Sequence, residues 1–143
     1  MRYDVEYIPG KEFGIKQAAS YDEVQELMDR VYQEDPSYWP FGLRVNAGDT
    51  DVFLVRDSLT KKACGFVGWQ EMQRNNKRIG SYYIGILPEY RGNGMAKEAV
   101  AKILQKKAAQ VDYVRAFIMP HNERSQKLAK SLHVPFVSSV DAL

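Results

Sequence analysis

One change of hydrophobic period, at Gly94, constrains this chain more than any other feature. Up to that point Ile79 to Leu87 is a run of apolar and aromatic residues of strand type. Beyond it Met95, Ala96, Ala99, Val100, Ile103, Leu104, Ala108 and Val111 recur at the spacing of one helix face. The junction, Pro88-Glu89-Tyr90-Arg91-Gly92-Asn93-Gly94, is a glycine-containing turn. A strand, a turn and a long helix in this order require a sheet with helices packed on it.

The rest of the chain supplies the partners. A first strand is expected around Phe13 to Ala18. Ser20 then caps a helix, with Glu23 three residues on and Val24, Leu27, Met28 and Val31 at helical spacing, ending near Gln33. Asp35 to Gly42 carries two prolines and three aromatics and reads as a loop that covers something. Asp51 to Arg56, Ala63 to Met72 and Ile79 to Leu87 form an antiparallel meander, its second turn at Arg74-Asn75-Asn76-Lys77. After the long helix come a buried strand, Tyr113 to Met119, a shorter helix, Asn122 to Leu132, and a last strand, Val134 to Val140. The order is βα, a three-stranded meander, then αβαβ. Neither a repeat nor a linker divides it, so residues 1–143 are expected to form one α/β (α+β) domain.

Composition narrows the function. At 45% hydrophobic and 27% charged residues the chain is far from a disordered profile. A net charge of +2 does not suggest nucleic-acid binding, and the bases show no interleaved aromatic stripe. Their distribution matters more. Arg74, Lys77, Arg78, Arg91, Lys97 and further lysines to Lys107 face only Glu89 and Glu98, while the first helical stretch is acidic, a pattern that fits both a polyanionic ligand and solvated helix faces. Cys64, the single cysteine, lies in an apolar run and reads as a small buried side chain. No stretch approaches the roughly 20 apolar residues of a membrane span, no signal-peptide core is present, and a cytoplasmic protein is expected.

The chemistry at the junction follows from its backbone. A helix start leaves about four N–H groups without intrahelical partners and carries roughly half a positive charge, so a phosphate placed there gains hydrogen bonds and a favourable dipole. Gly92 and Gly94 keep side chains away from those amides, and Arg91 adds a charge-assisted contact. Lys97 stands where a Rossmann fingerprint needs glycine, and the Gly-Lys-Ser/Thr of a Walker A loop is absent.

Ile86-Leu87-Pro88 followed by Arg91-Gly92-Asn93-Gly94-Met95-Ala96 resembles the acyl-CoA loop of the GNAT N-acetyltransferase superfamily, Arg/Gln-x-x-Gly-x-Gly/Ala after a strand ending apolar-x-Pro. The resemblance extends to the element order over nearly the whole chain. It implies a mixed, mostly antiparallel sheet flanked by helices, with the pantetheine arm of acetyl-CoA between splayed fourth and fifth strands. It further implies that the Ile86 amide polarises the thioester carbonyl, a large catalytic device that no substitution removes. Asn122 and Ser125 match the family's second signature, an Asn after the fifth strand with a small residue three positions on; Asn122 also suits a helix cap.

Two departures concern proton transfer. The tyrosine that many members use as acid, seven residues after that Asn, is Ala129 here, and the Gly-Phe that usually follows is His133-Val134. Some members place a glutamate base four residues before the oxyanion amide, where this chain has Tyr82, a weak base that could hold a relaying water. Glu71 is the nearest carboxylate on the neighbouring strand; a hairpin turning about Asn75-Asn76 is expected to set Gln70 near Tyr82 and Glu71 on the other face, and a one-residue slip reverses this. His121 is a further titratable group. Tyr38, Trp39, Phe41, Tyr82 and Tyr83 suit either an aromatic acceptor pocket or core.

The resemblance thus implies acetyl transfer from acetyl-CoA to an amine by direct attack. The catalytic set is Ile86, Tyr82 and Asn122; the coenzyme set is Ile86, Leu87, Arg91 to Ala96, Asn122 and Ser125; no metal takes part. A binding domain for acyl-CoA or a partner protein, without transferase activity, is the alternative reading. A homodimer is compatible with either.

Overall fold

The computed structural model describes residues 3–8, 18–40, 43 and 50–138. Six strands form one sheet in the order β1 to β6: β1 Tyr3–Ile8, β2 Thr50–Asp57, β3 Ala63–Arg74, β4 Lys77–Ile86, β5 Tyr113–Phe117 and β6 Phe136–Val137. β1 through β4 pair antiparallel, and β4–β5 and β5–β6 pair parallel. Three helices cover them, α1 Ala18–Glu34, α2 Met95–Lys107 and α3 Glu123–Ser131. Among the described residues no helix is long and apolar enough to cross a membrane.

Both faces of the central strands are buried, which is why they read as near-continuous apolar runs. Val52, Leu54 and Phe66 turn toward α1 and meet Val24, Leu27, Met28 and Val31, its expected apolar face. Phe53, Val55, Val67 and Trp69 turn the other way, toward Met95, Ala99, Val100 and Ile103 of α2. Cys64 is fully buried.

Four expectations change. The first strand is Tyr3–Ile8; the segment expected at Phe13 to Ala18 lies outside the described residues apart from Ala18, which opens α1. Ser20 therefore sits inside the first turn of α1 and does not cap it, Ala18 and Ala19 being better helix formers. α2 stops at Lys107 and Val111 is extended, so the far end of the expected helix face belongs to the connection. β6 is only Phe136–Val137, and Ser139 and Val140 lie outside the described residues.

Candidate active site

The site is built on the two edges of β4. On one edge Leu87 N–H donates to the Cys64 carbonyl at 2.9 Å, which makes Cys64–Leu87 a hydrogen-bonded pair. Pairs alternate along an antiparallel ladder, so the next one, Gly65–Ile86, is not hydrogen-bonded, and the Ile86 N–H and C=O point away from β3. They point toward β5, which pairs with β4 only from Ile79–Tyr113 to Ser81–Arg115 before it diverges. A gap opens between the strands, and the Ile86 backbone faces it. Arg91 Nε–H donates to the Ile86 carbonyl at 2.9 Å, fixing the end of the strand and leaving the amide as the group presented.

Beyond β4 a short 3-10 turn, Pro88–Tyr90, leads into the loop. Gly92 and Gly94 both adopt left-handed backbone, with φ of 90° and 77°. A Cβ added at either would meet no protein atom within 4 Å, so both positions border open space. Glu98 N–H makes the first helical bond of α2, to the Gly94 carbonyl at 3.2 Å. Asn93 Oδ1 accepts from Met95 N–H at 3.1 Å, which shapes the turn so that the helix start opens onto the gap. Leu87, expected among the coenzyme contacts, buries its side chain against the α1 layer, and its amide donates to the Cys64 carbonyl.

A cleft of ≈ 490 Å³ joins these parts, within the range of small-molecule sites. One wall is the loop from Arg91 to Lys97 with Asn122, Ser125 and Leu128 of the β5–α3 region; the other is Glu34, Asp35, Tyr38 and Trp39. Charge divides between them. Arg91, Lys97, Arg124 and Lys127 lie on the first wall, the two carboxylates on the second. Burial, then the neighbouring Arg124 cation, lowers the Arg91 pKa from its ordinary value. Asn122 Oδ1 accepts from Ser125 N–H at 3.3 Å and so caps α3 while lining the cleft.

A family model described as "Acetyltransferase (GNAT) domain" matches residues 3–134. The chain belongs to the GNAT acetyltransferase family. A search of curated protein sequences finds no match. Among solved structures, a GNAT-family acetyltransferase from Streptococcus pneumoniae superimposes with a TM-score of 0.67 at 16% identity, covering 92% of this chain and 83% of the other. The ribosomal-protein-S5-alanine acetyltransferase of Vibrio fischeri gives 0.67 at 19%, covering 91% and 78%. The acetyltransferase AAC(6')-Iy, bound to the bisubstrate analogue CoA-S-monomethyl-acetylneamine, gives 0.66 at 14%, covering 98% and 95%. At these identities the likeness is one of fold.

The groups available to a GNAT reaction differ from expectation in three respects. Asn75 and Asn76 both have positive φ, the form of a two-residue hairpin turn, and this sets Trp69 opposite Tyr82 and Gln70 opposite Ser81. Glu71 therefore shares the face of Tyr82, not the opposite one, but it is engaged: it accepts from Trp69 Nε1–H at 2.9 Å and from Arg78 at 2.8 Å. Ala129 is fully buried in the core beneath α3 and does not line the cleft. Tyr82 is 3% exposed, and its hydroxyl has no hydrogen-bond partner among the described residues. Its ring borders a small cavity of ≈ 20 Å³ between β4 and β5, lined also by Asn122 and Ser125 and large enough for about one water. Burial pushes the Tyr82 phenol up to about 12, so it is a proton donor at neutral pH and not a base.

Of the aromatic residues, Tyr38 and Trp39 line the cleft, Tyr83 borders the small cavity while packing on Phe66, and Phe41 lies outside the described residues. The fold also makes a contact that no local spacing signals. His121 Nε2 lies 2.6 Å from Ser37 Oγ, 84 residues away in sequence, and Ser37 Oγ–H donates to Asp35 Oδ1 at 2.5 Å.

Proposed function

We propose that this protein transfers an acetyl group from acetyl-CoA to an amine by direct attack within the cleft. The observation that carries this reading is the pair of adjacent devices on the open edge of β4: an amide at Ile86 turned into the gap, and a helix start behind two left-handed glycines at its mouth. The second suits a pyrophosphate, because its backbone N–H groups, the helix dipole and the cations Arg91, Lys97 and Arg124 act together. The first suits a thioester carbonyl. A backbone donor aimed at a developing oxyanion is typically worth about 3 kcal/mol of transition-state stabilisation.

Each residue then has a task in acetyl transfer. The Gly92–Ala96 backbone and Arg91 hold the diphosphate, and Asn122 and Ser125 border the path of the pantetheine arm. Ile86 N–H hydrogen-bonds the carbonyl oxygen as it gains charge, while the amine nitrogen attacks the carbonyl carbon. Tyr82 donates to the departing sulfur, directly or through the one water its cavity can hold, and so fills the role that Ala129 cannot. Glu34 and Asp35 beside Tyr38 and Trp39 form an acidic, aromatic wall that favours a cationic amine as it approaches. Several structural neighbours are named for acetylating amines, which supports the acceptor class.

The test is free-thiol release from acetyl-CoA with small amines, peptide N-termini and lysines from pH 6 to 9, run beside calorimetric binding. Transfer is expected to rise with pH as the amine loses its proton. Saturable acetyl-CoA binding with no thiol release above the protein-free rate for every acceptor leaves a binding domain. Failure of both binding and release removes the coenzyme from the picture.

A further inference from the structure

The acetyl-transfer reading leaves the acceptor of the amine proton unassigned: Tyr82 is a donor, Glu71 is engaged, and the cleft carboxylates Glu34 and Asp35 serve the cationic amine as it approaches. We propose that His121, held by Ser37 and Asp35, takes that proton, an inference that rests on the acetyl-transfer reading above. The hydrogen bonds fix the form of the ring. Ser37 has one hydroxyl proton and gives it to Asp35 Oδ1, which also accepts from Ser37 N–H at 3.1 Å. Ser37 Oγ can therefore only accept from His121, so neutral His121 carries its proton on Nε2 and keeps a lone pair on Nδ1. Once Nδ1 is protonated, the Asp35 carboxylate stabilises the imidazolium through Ser37.

The cluster adjoins the cleft through Asp35, which lines it, and through the neighbours of the exposed His121. Tyr38 packs on the imidazole with ring centroids 4.9 Å apart, and both Tyr38 and Asn122, the next residue in the chain, line the main cleft and the small cavity. The charged and titratable groups next to His121 are Asp35, which shares Ser37 with it, Tyr38, whose ring packs on its own, and Glu123 and Arg124, which follow it in the first turn of α3; Arg91 of the β4–α2 loop lies in the field of Arg124, Glu34 and Tyr38. The step balances. As nitrogen bonds to the carbonyl carbon, one N–H proton passes to His121 Nδ1, and the C–S electron pair leaves with sulfur. The thiolate is protonated from Tyr82 or water, His121 returns its proton to solvent, and Tyr82, where it was the donor, regains a proton from solvent. Ser37 and Asp35 are positioning residues.

The experiment is steady-state transfer from acetyl-CoA to the most reactive amine of the panel, with His121→Gln, His121→Ala, Ser37→Ala and Ser37→Thr. A general base contributes about 10²- to 10⁴-fold, so His121→Gln is expected to lower kcat about 100-fold while acetyl-CoA affinity stays within about twofold. Added imidazole restores part of the His121→Ala rate, and Ser37→Thr, which keeps the hydroxyl, outperforms Ser37→Ala. Ring ¹H–¹⁵N spectra of the wild type show the Nε2–H tautomer. A wild type that transfers acetyl while His121→Gln matches its kcat and pH profile overturns this inference alone, as does an Nδ1–H tautomer. A wild type that transfers to no amine overturns the reading beneath it, and this inference with it.

Discussion

The two edges of β4 differ more than any two faces of the molecule. Toward β3 the strand makes ten consecutive pairs, from Gly65–Ile86 to Arg74–Lys77; toward β5 it makes three and stops. Every backbone polar group needs a partner, so an edge left open beside a core is costly unless something else enters. One strand thus serves as wall on one side and socket on the other. Where β4 is paired on both edges, as at Gly80, an added Cβ meets protein; in the loop at the mouth of the gap, as at Gly94, it meets open space.

Substitutions at two glycines sharpen that contrast and carry the largest expected effects. A Cβ at Gly80 would stand 2.2 Å from the ring of Trp69, which is fully buried and cannot move aside. Gly80→Val is expected to cost about 3 kcal/mol by overpacking, lowering the melting temperature by roughly 10 °C. Gly94→Val meets no protein atom, so its structural cost is only the strain of left-handed backbone, about 1–2 kcal/mol. Its main effect falls on the ligand, with acetyl-CoA affinity at least about tenfold lower by calorimetry. A folded Gly94→Val protein that binds acetyl-CoA normally would break the comparison, as would a Gly80→Val loss below about 1 kcal/mol.

Tyr82 tests the open edge from inside. Its buried hydroxyl lacks a partner among the described residues, so Tyr82→Phe is expected to leave stability unchanged or raise it by about 1 kcal/mol, while transfer slows about tenfold or more. Stability and activity moving in opposite directions is the signature of a hydroxyl kept for chemistry. Its titration gives a second readout. The folded pKa is raised, so the unfolded chain releases this proton first, near pH 10, and stability falls as pH rises from there to about 12. Tyr82→Phe flattens that alkaline loss, which Tyr3 and Tyr83, also raised by burial, still contribute to. A variant with unchanged activity and an unchanged alkaline limb would return Tyr82 to the core.

These contrasts also mark what could be read from the chain alone. α1, the meander and the β4–α2 junction were legible because their signals are local: helical spacing at Val24 to Val31, strand runs, and glycines before a helix. β1 was missed although Tyr3, Val5 and Tyr7 alternate with Asp4 and Glu6 at the period of a half-buried strand; what the chain alone does not show is that Lys61 and Arg56 come beside those two acids, at 3.7 and 2.8 Å. The turn at Asn75 and Asn76 is where the sequence puts it, but the pairing that follows from it, Arg74 with Lys77, sets Trp69 and not Gln70 opposite Tyr82, so the expected face of Glu71 was off by one residue of register. In the site, the sequence singled out the loop residues and Asn122, which the fold sets along one cleft. The His121–Ser37–Asp35 chain was beyond reach, since nothing local links residues 84 apart.

The smallest effect belongs to Asn122, where a cap and a cleft residue are the same side chain. Its Oδ1 takes the Ser125 N–H, a bond that Ser can replace at an N-cap and Ala cannot. Asn122→Ala is therefore expected to cost about 1 kcal/mol of stability, and Asn122→Ser only a few tenths. If the amide serves the cap alone, Asn122→Ser binds acetyl-CoA as the wild type does. Because Asn122 lines both the cleft and the small cavity beside Tyr82, its amide N–H₂ group is expected to meet the pantetheine arm, and Asn122→Ser then weakens acetyl-CoA binding about two- to fivefold at nearly constant stability, as an exposed neutral hydrogen bond would. Denaturant unfolding and calorimetry on the two variants separate these roles. Equal affinity in wild type and Asn122→Ser, with Asn122→Ala alone destabilised, would make Asn122 a cap that happens to face the gap.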